Sequence, residues 1–361
     1  MTDRAVERPD PRASNGRRHR DGAVAAVLAC ALGACGGTTP PAASASGETA
    51  PAAATTTPAV AEGSVPGADG DPLVYRKVGS GPSSVVIING GPGLDMDWYV
   101  ADLAPLTRTH TLIFYDQRGS GRSGLPEDPA TITLDAHARD LEALRQGLGL
   151  DRVILWAHSF GPAIAARYAI AHPERVARMI FVGPIPPRAG SFGEVYSANL
   201  AARAGEAKHA HMNELSATWA DAPDPVAVCR EYWRLAMPPR VADPASVTRM
   251  KIDPCAPSAE AMRYSLRHTQ PNTWASMGDW DWRAELAGVP APTLIIHGHD
   301  ELIPMEMVEE WVTSLPDARI LRVPACGHFP YVEQPDIAFP AMNEFLSGSW
   351  PAGAEGVGPR P

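Results

Sequence analysis

Short apolar runs rich in β-branched residues recur along this chain. Each is followed by a turn and then by a segment with apolar residues at helical spacing, and this alternation restricts the fold more than any other feature. The runs fall at 84–89, 111–115, 152–157, 179–183, 293–297 and 320–323. Continuous apolar stretches of this length suit strands buried on both faces. Helices are predicted over 133–148, 160–171, 305–315 and 339–346, the third opening after Pro304, a residue type favoured in a first turn. Strands alternating with helices predict an α/β architecture, a mostly parallel central sheet flanked by helices on both sides. The alternation breaks between 184 and 289. Helical stretches at 197–210 and 226–237 predict a mainly helical cap over 185–289. It would cover the C-terminal edge of the sheet, where ligands bind in open α/β folds. The core then consists of 72–184 and 290–350.

The N-terminus reads as an address. Residues 1–20 are polar and basic, and 23–34 are small and apolar, too short to span a bilayer as a stable helix but suited to a secretory signal. The run ends in Leu32-Gly33-Ala34-Cys35, which resembles the lipobox of bacterial lipoproteins and makes Cys35 the expected lipidation site; Cys30 sits in a weaker version. Residues 1–35 are thus expected to be a signal peptide with lipobox. Residues 36–71 are poor in large apolar side chains and are expected to form a disordered linker, with a second disordered tail over 351–361. The expected location is exported, at the cell surface or in the periplasm, with the membrane as partner through the lipid.

Composition narrows the partners further. A formal charge of −10 argues against nucleic acid, whose phosphates demand a basic surface. Among the five cysteines no Cys-x-x-Cys or Cys/His cluster has zinc spacing, so no metal site is expected. Cys229 and Cys255 both lie in the cap of an exported chain, where a disulfide can form, although spacing alone does not establish the pair. Cys326 reads as a small buried hydrophobe.

The chemistry starts at residues 152–157, which run straight into His158-Ser159-Phe160-Gly161 and a helix. This is the strand–turn–helix setting of a nucleophile elbow, in which small flanking residues let the turn close and the Ser hydroxyl stands clear of the sheet. The flanks here are Ala157 and Gly161. Ser159 is therefore the candidate nucleophile, against the simpler reading of a helix-capping Ser. It needs a base. Of eleven His, His328 stands out, on a loop after the last predicted core strand. The third member should orient that imidazole. Asp300, on the loop after 293–297, is the expected acid because it lies nearer the strand end than its rival Glu301. The order Ser159, Asp300, His328 matches this type of site. His297 and His299 read as structural or exposed. The oxyanion donors are expected to be the N–H groups of Phe160 and of Gly91 in Asn89-Gly90-Gly91-Pro92-Gly93. No cofactor is implied, since these groups suffice for acyl transfer.

Two of these segments carry a resemblance. Asn89-Gly90-Gly91-Pro92-Gly93 resembles the His-Gly-Gly-Pro-Gly motif of proline iminopeptidases and related α/β-hydrolase aminopeptidases, with Asn89 in place of His. The stretch from Asp116 to Ser123, Asp-Gln-Arg-Gly-Ser-Gly-Arg-Ser, is similar to a second motif of that group. The resemblance spans 85–184 and 290–332. It implies the α/β-hydrolase fold with a helical cap, and a serine aminopeptidase that releases an N-terminal residue, often proline, from small peptides or amides. It also implies that Glu301, just after the expected acid, holds the substrate's ammonium, whereas residue type alone makes it equally a solvated first-turn acid. A further amine-binding acid has no motif; Glu194, Glu206, Glu214 and Glu231 are candidates. Trp274, Trp280 and Trp282 are expected either to line an apolar substrate pocket or to pack the cap on the core.

The alternative function is an exported carboxylesterase or other small-acyl hydrolase with the same triad, which an apolar pocket without cap carboxylates would favour. A non-catalytic surface binding protein has no chemical reason to keep Ser, acid and His in this order.

Overall fold

The computed structural model describes residues 59–356. Cys30, Cys35 and the rest of the expected signal, the linker up to residue 58, and residues 357–361 lie outside the described residues. The central sheet has nine strands: β1 Val60–Pro66, β2 Pro72–Val78, β3 Ser84–Ile88, β4 Thr111–Tyr115, β5 Val153–His158, β6 Val176–Val182, β7 Thr293–Gly298, β8 Ala318–Val323 and β9 Ala354–Glu355. Their order is β1-β2-β4-β3-β5-β6-β7-β8-β9. The inner strands from β4 to β8 pair in parallel, and β1, β2 and β9 add antiparallel edges.

Each apolar run feeds both faces of the sheet, as the strand period of two requires. Val86, Ile88, Ile113, Leu155, Phe181 and Ile295 point into one layer, under the helices Leu134–Gly147, Gly161–Ala171 and Met305–Ser314. Val85, Ile87, Leu112, Trp156, Ile180 and Leu294 point into the other, under the helix Pro335–Leu346. The strands are thus held by burial on both sides, and every loop at their C-terminal ends opens onto one edge.

Two boundaries differ from the sequence expectation. The linker expected to reach residue 71 ends earlier, because Val60–Pro66 pairs along its length with β2. The tail expected from 351 contains β9, which pairs with Ile320 and Leu321 of β8. Both are edge strands held mainly by main-chain bonds, and β1 is largely exposed, so neither carries an apolar signature.

Between β6 and β7 lie the helices Phe192–Ala204, Glu206–Thr218, Pro225–Ala236, Ala259–Tyr264 and Gln270–Met277. The single helix expected over 197–210 is two, divided at Gly205, whose φ of 85° only glycine adopts readily. Cys229 and Cys255 form a disulfide with a Cα–Cα distance of 5.8 Å, and Cys326 is a free buried thiol. Among the described residues no helix is long and apolar enough to cross a membrane, and no cluster of three or more His, Cys, Asp or Glu side chains is placed to hold a metal.

Candidate active site

Ser159 sits between β5 and the helix Gly161–Ala171 with φ of 59°, a left-handed conformation that costs a non-glycine residue on the order of 1–3 kcal/mol. The surroundings hold it there. Its N–H donates to the carbonyl of Val182 at 3.0 Å, and its carbonyl accepts from the Ile185 N–H at 2.9 Å. The two small flanks are sterically required: Ala157 is fully buried, and a Cβ on Gly161 would stand 2.5 Å from the Ile88 carbonyl oxygen. Ser159 is thus held in the tight turn between the end of β5 and the helix.

His328 follows β8, and its ring Nδ1 lies 2.6 Å from Glu301 Oε2. The acid beside the imidazole is therefore Glu301, not Asp300, which the sequence reading favoured as nearer the strand. Strand β7 runs on through Gly298, where a Cβ would meet the carbonyl oxygens of Cys326 and Gly327 at 2.1 and 2.4 Å. The chain then turns at His299 and Asp300; the Asp300 N–H donates to the Cys326 carbonyl at 2.8 Å while its side chain faces solvent. Glu301, one residue on, points inward and is buried. The role of ammonium anchor expected of Glu301 also falls away, because its other oxygen, Oε1, accepts the Leu302 N–H at 2.7 Å. Burial opposes its ionisation, but His328, His297 and the Leu302 N–H outweigh that and hold the carboxyl at about 2. A Cβ on Gly183 would stand 3.1 Å from His328 Nδ1 and 3.2 Å from Glu301 Oε2, tighter than ordinary contact, at a φ of 51° that already disfavours a side chain.

Two further groups, absent from the sequence reading, fasten these loops. Buried Glu333 accepts the N–H groups of Gly327 and Phe329, on either side of His328, each at 2.9 Å, and that of Ala242 at 2.8 Å. His158, the residue before Ser159, is linked at both ring nitrogens. Nε2 donates to the His328 carbonyl at 2.9 Å, and Nδ1 pairs with the Tyr99 hydroxyl at 3.0 Å. That hydroxyl in turn accepts the Gly90 N–H at 3.1 Å. Burial and then the neighbouring His328 press the pKa of His158 down to about 3, so it is neutral, with Nδ1 free to accept. One buried chain of hydrogen bonds thereby joins the Gly90 loop, the end of β5 and the His328 loop. The Gly91 and Phe160 N–H groups, which sit on the first two of these elements, have no protein acceptor among the described residues.

A model of the alpha/beta hydrolase fold family matches residues 83–335. The chain belongs to the α/β-hydrolase family. It is 25% identical over 281 residues to a proline iminopeptidase of Heyndrickxia coagulans, covering 74% of this chain and 91% of that one. A pimeloyl-[acyl-carrier protein] methyl ester esterase of Aromatoleum aromaticum is 28% identical over 207 residues, 55% of this chain and 75% of that one. The crystal structure of a Mycobacterium smegmatis proline iminopeptidase superimposes with a TM-score of 0.57 at 22% identity, over 80% of this chain and 98% of that one.

In this α/β-hydrolase Ser159, His328, Gly90 and Gly91 line one cavity of about 230 Å³ between core and cap. Its apolar wall comes from Trp98, Trp219, Trp233, Met262, Leu266 and Phe329. Trp274, Trp280 and Trp282 are not in that wall. They stack on one another and on Phe160, Phe192 and Trp311, and so pack cap against core. None of Glu194, Glu206, Glu214 and Glu231 lines the cavity either. The carboxylate in the lining is Asp95, two residues beyond the glycine motif and missed by the sequence reading. Its Oδ1 accepts the Asp97 N–H at 2.8 Å, and its buried Oδ2 has no partner among the described residues. Burial first, and then the charge of Asp116, raise its pKa to about 7.

Proposed function

We propose that this protein is a serine hydrolase that works through an acyl-enzyme, and that it is an aminopeptidase releasing an N-terminal residue, of proline type, from short peptides or amides. The observation that carries the hydrolase reading is the shared cavity of Ser159 and His328, with Glu301 at 2.6 Å behind the imidazole. An ionised Glu301 keeps the proton on Nδ1, which leaves Nε2 as the acceptor for the Ser159 hydroxyl. Ser159 Oγ adds to the scissile carbonyl as its proton passes to Nε2. The Gly91 and Phe160 N–H groups meet the oxyanion. His328 then returns the proton to the leaving nitrogen, and water repeats the sequence to free the acid. The positive φ at Ser159 belongs to this design, since it holds the nucleophile at the edge before substrate arrives.

The aminopeptidase reading draws support from the iminopeptidase relatives, which align over most of the chain, and from Asp95, a lining carboxylate able to pair with an ammonium. One observation favours a second reading, a carboxylesterase: no carboxylate from the cap lines the cavity among the described residues. The test uses the full chain on proline arylamide, the same amide with a blocked amine, and a short-chain aryl ester. Cleavage of the free-amine amide alone among the amides, lost in Ser159→Ala, is the expected result. Ester cleavage without amide cleavage would replace the peptidase reading with the esterase one. We further propose lipid anchoring at Cys35, tested by membrane fractionation of Cys35→Ala; a variant that stays with the membrane refutes it.

A further inference from the structure

The cavity above Ser159 holds a cation that the acyl-transfer steps do not use. Arg240, at the end of the turn after the helix Pro225–Ala236, lines the cavity together with Ser159 and His328. Its own carbonyl accepts the His328 N–H at 2.8 Å, and a Cβ on Gly327 would stand 2.3 Å from that oxygen, so the residue is fixed against the loop of the base. The guanidinium bonds to the Ala236 carbonyl. It stands 5.9 Å from the ring centroids of both Tyr196 and Trp233, and Tyr196 and Tyr232 line the same cavity. Burial opposes its charge, but the phenol oxygens of those two tyrosines outweigh it.

No carboxylate pairs with Arg240 among the described residues. Arg203, Arg249 and Arg263 likewise bond only to carbonyl or hydroxyl oxygens, but Arg240 alone of these lines the cavity beside Ser159, and it differs from the paired arginines. Arg118 meets Asp140 at 2.6 Å, and Arg188 meets Glu310 at 2.7 Å. Arg240 is half-buried, and a guanidinium partly withdrawn from water into a cavity wall without a counter-charge gains when an anion arrives. Its planar fork matches a carboxylate in two parallel hydrogen bonds. A single uncompensated charge suits a monoanion rather than a phosphate dianion, and the two phenol hydroxyls can donate to the same oxygens. Asp95 in the same lining supplies the opposite sign. The cavity of about 230 Å³ limits what can carry both charges.

We infer that Arg240, with Tyr196 and Tyr232, binds a free carboxylate on the substrate that Ser159 attacks, so that the preferred substrate is a dipeptide-sized molecule with a free C-terminus. This rests on the aminopeptidase reading for the peptide bond, and on the serine mechanism alone for the carboxylate. No sequence motif marks Arg240, because the cap carries no recognisable pattern.

The experiment measures kcat/KM of the full chain on two pairs of substrates. One pair is Pro-Gly and Pro-Gly amide; the other is mono-4-nitrophenyl glutarate and its methyl ester. Within whichever pair is cleaved, the carboxylate member is expected to be preferred by roughly 10- to 100-fold, the range of a lost charged hydrogen-bond partner. That ratio should fall towards one in Arg240→Gln and return in part in Arg240→Lys. Equal rates within the pair in the unmodified protein overturn the inference, as does a preference that Arg240→Gln leaves unaltered. If Arg240→Gln fails to fold, competitive inhibition of the unmodified protein decides. Glutarate must inhibit more strongly than glutaramide, and equal inhibition overturns the assignment. Preference for the half-ester with no peptide cleaved removes the aminopeptidase reading and leaves the carboxylate site standing. Peptides cleaved without preference do the reverse.

Discussion

Exchanging Glu301 for glutamine tests the arrangement behind the imidazole most directly. The substitution keeps the shape of the side chain and its contact with the Leu302 N–H, and removes the charge that lies 2.6 Å from His328 Nδ1. With a carboxylate there, Nδ1 must carry the proton and Nε2 accepts. With an amide, the side-chain NH2 can donate to Nδ1, which moves the ring proton to Nε2 and leaves nothing to receive the proton of Ser159. The loss of a charge-assisted bond, about 1.5–3 kcal/mol, accounts for only part of the effect. The tautomer change adds the rest, and a fall in kcat of about 10⁴-fold is expected, the order produced by amidating a triad acid. Because the Glu301 carboxyl is held at about 2, it is ionised throughout an assay from pH 5 to 9, so this loss has no acid limb of its own. Asp300→Asn is the control. Its side chain is exposed, and its fixed bond is made by the backbone, so kcat should stay within roughly twofold, as for a surface change. Rates on a 4-nitrophenyl ester or proline arylamide, with circular dichroism to establish folding, read both variants. Glu301→Gln retaining a tenth or more of the activity while Asp300→Asn loses it would refute the assignment.

Three other outcomes follow from the structure. The Asp95 carboxyl, raised to about 7 by burial and by Asp116, against the Asp97 N–H and Arg122, is protonated in acid and cannot attract an ammonium there. KM for a free-amine substrate should therefore rise about tenfold per pH unit below 7, and this slope should vanish in Asp95→Asn; an unchanged slope excludes Asp95 as the anchor. The same sign makes the folded state lose stability as pH rises from about 4 to 7, and Asp95→Asn should remove that loss in urea titrations. The Cys229–Cys255 bond closes a loop with a sequence separation of 26, and the loop-entropy relation gives it about 3.5 kcal/mol. Replacing both cysteines by alanine should lower the urea midpoint accordingly, and an unchanged midpoint would contradict the relation here.

How far the sequence could be read depended on whether a signal was local. The strands from β3 to β8 are buried on both faces and stand out as apolar runs. β1 is an exposed edge whose Gly, Ser and Pro residues look like the linker before it, and only its pairing with β2 distinguishes it. Ser159 and His328 were visible because each follows a strand in a short, recognisable turn. The acid was missed by one residue, since the turn after β7 is set by the fit of Gly298 against the His328 loop, a contact across 28 residues of chain that no local pattern encodes. Glu333 and Tyr99 hold the site through bonds to backbone and to His158, and nothing in their neighbours advertises it. The tryptophan cluster of the cap stands out by its density, whereas Arg240 and Tyr196 of the cap and Asp95 of the core are scattered in sequence and form a group only in three dimensions.

The separation of the tryptophan cluster from the cavity wall has a consequence for how such a protein can change over generations. Trp274, Trp280 and Trp282 moor the cap, while Tyr196, Tyr232, Arg240 and Met262 of the same segment face the cavity. Trp233 does both, facing the cavity and packing edge-on against Trp98 of the core at 4.9 Å, but the three moorings lie outside the wall. Substitutions at a cavity-facing, half-buried position such as Tyr232 can alter what the roof accepts without touching the tryptophans that moor it.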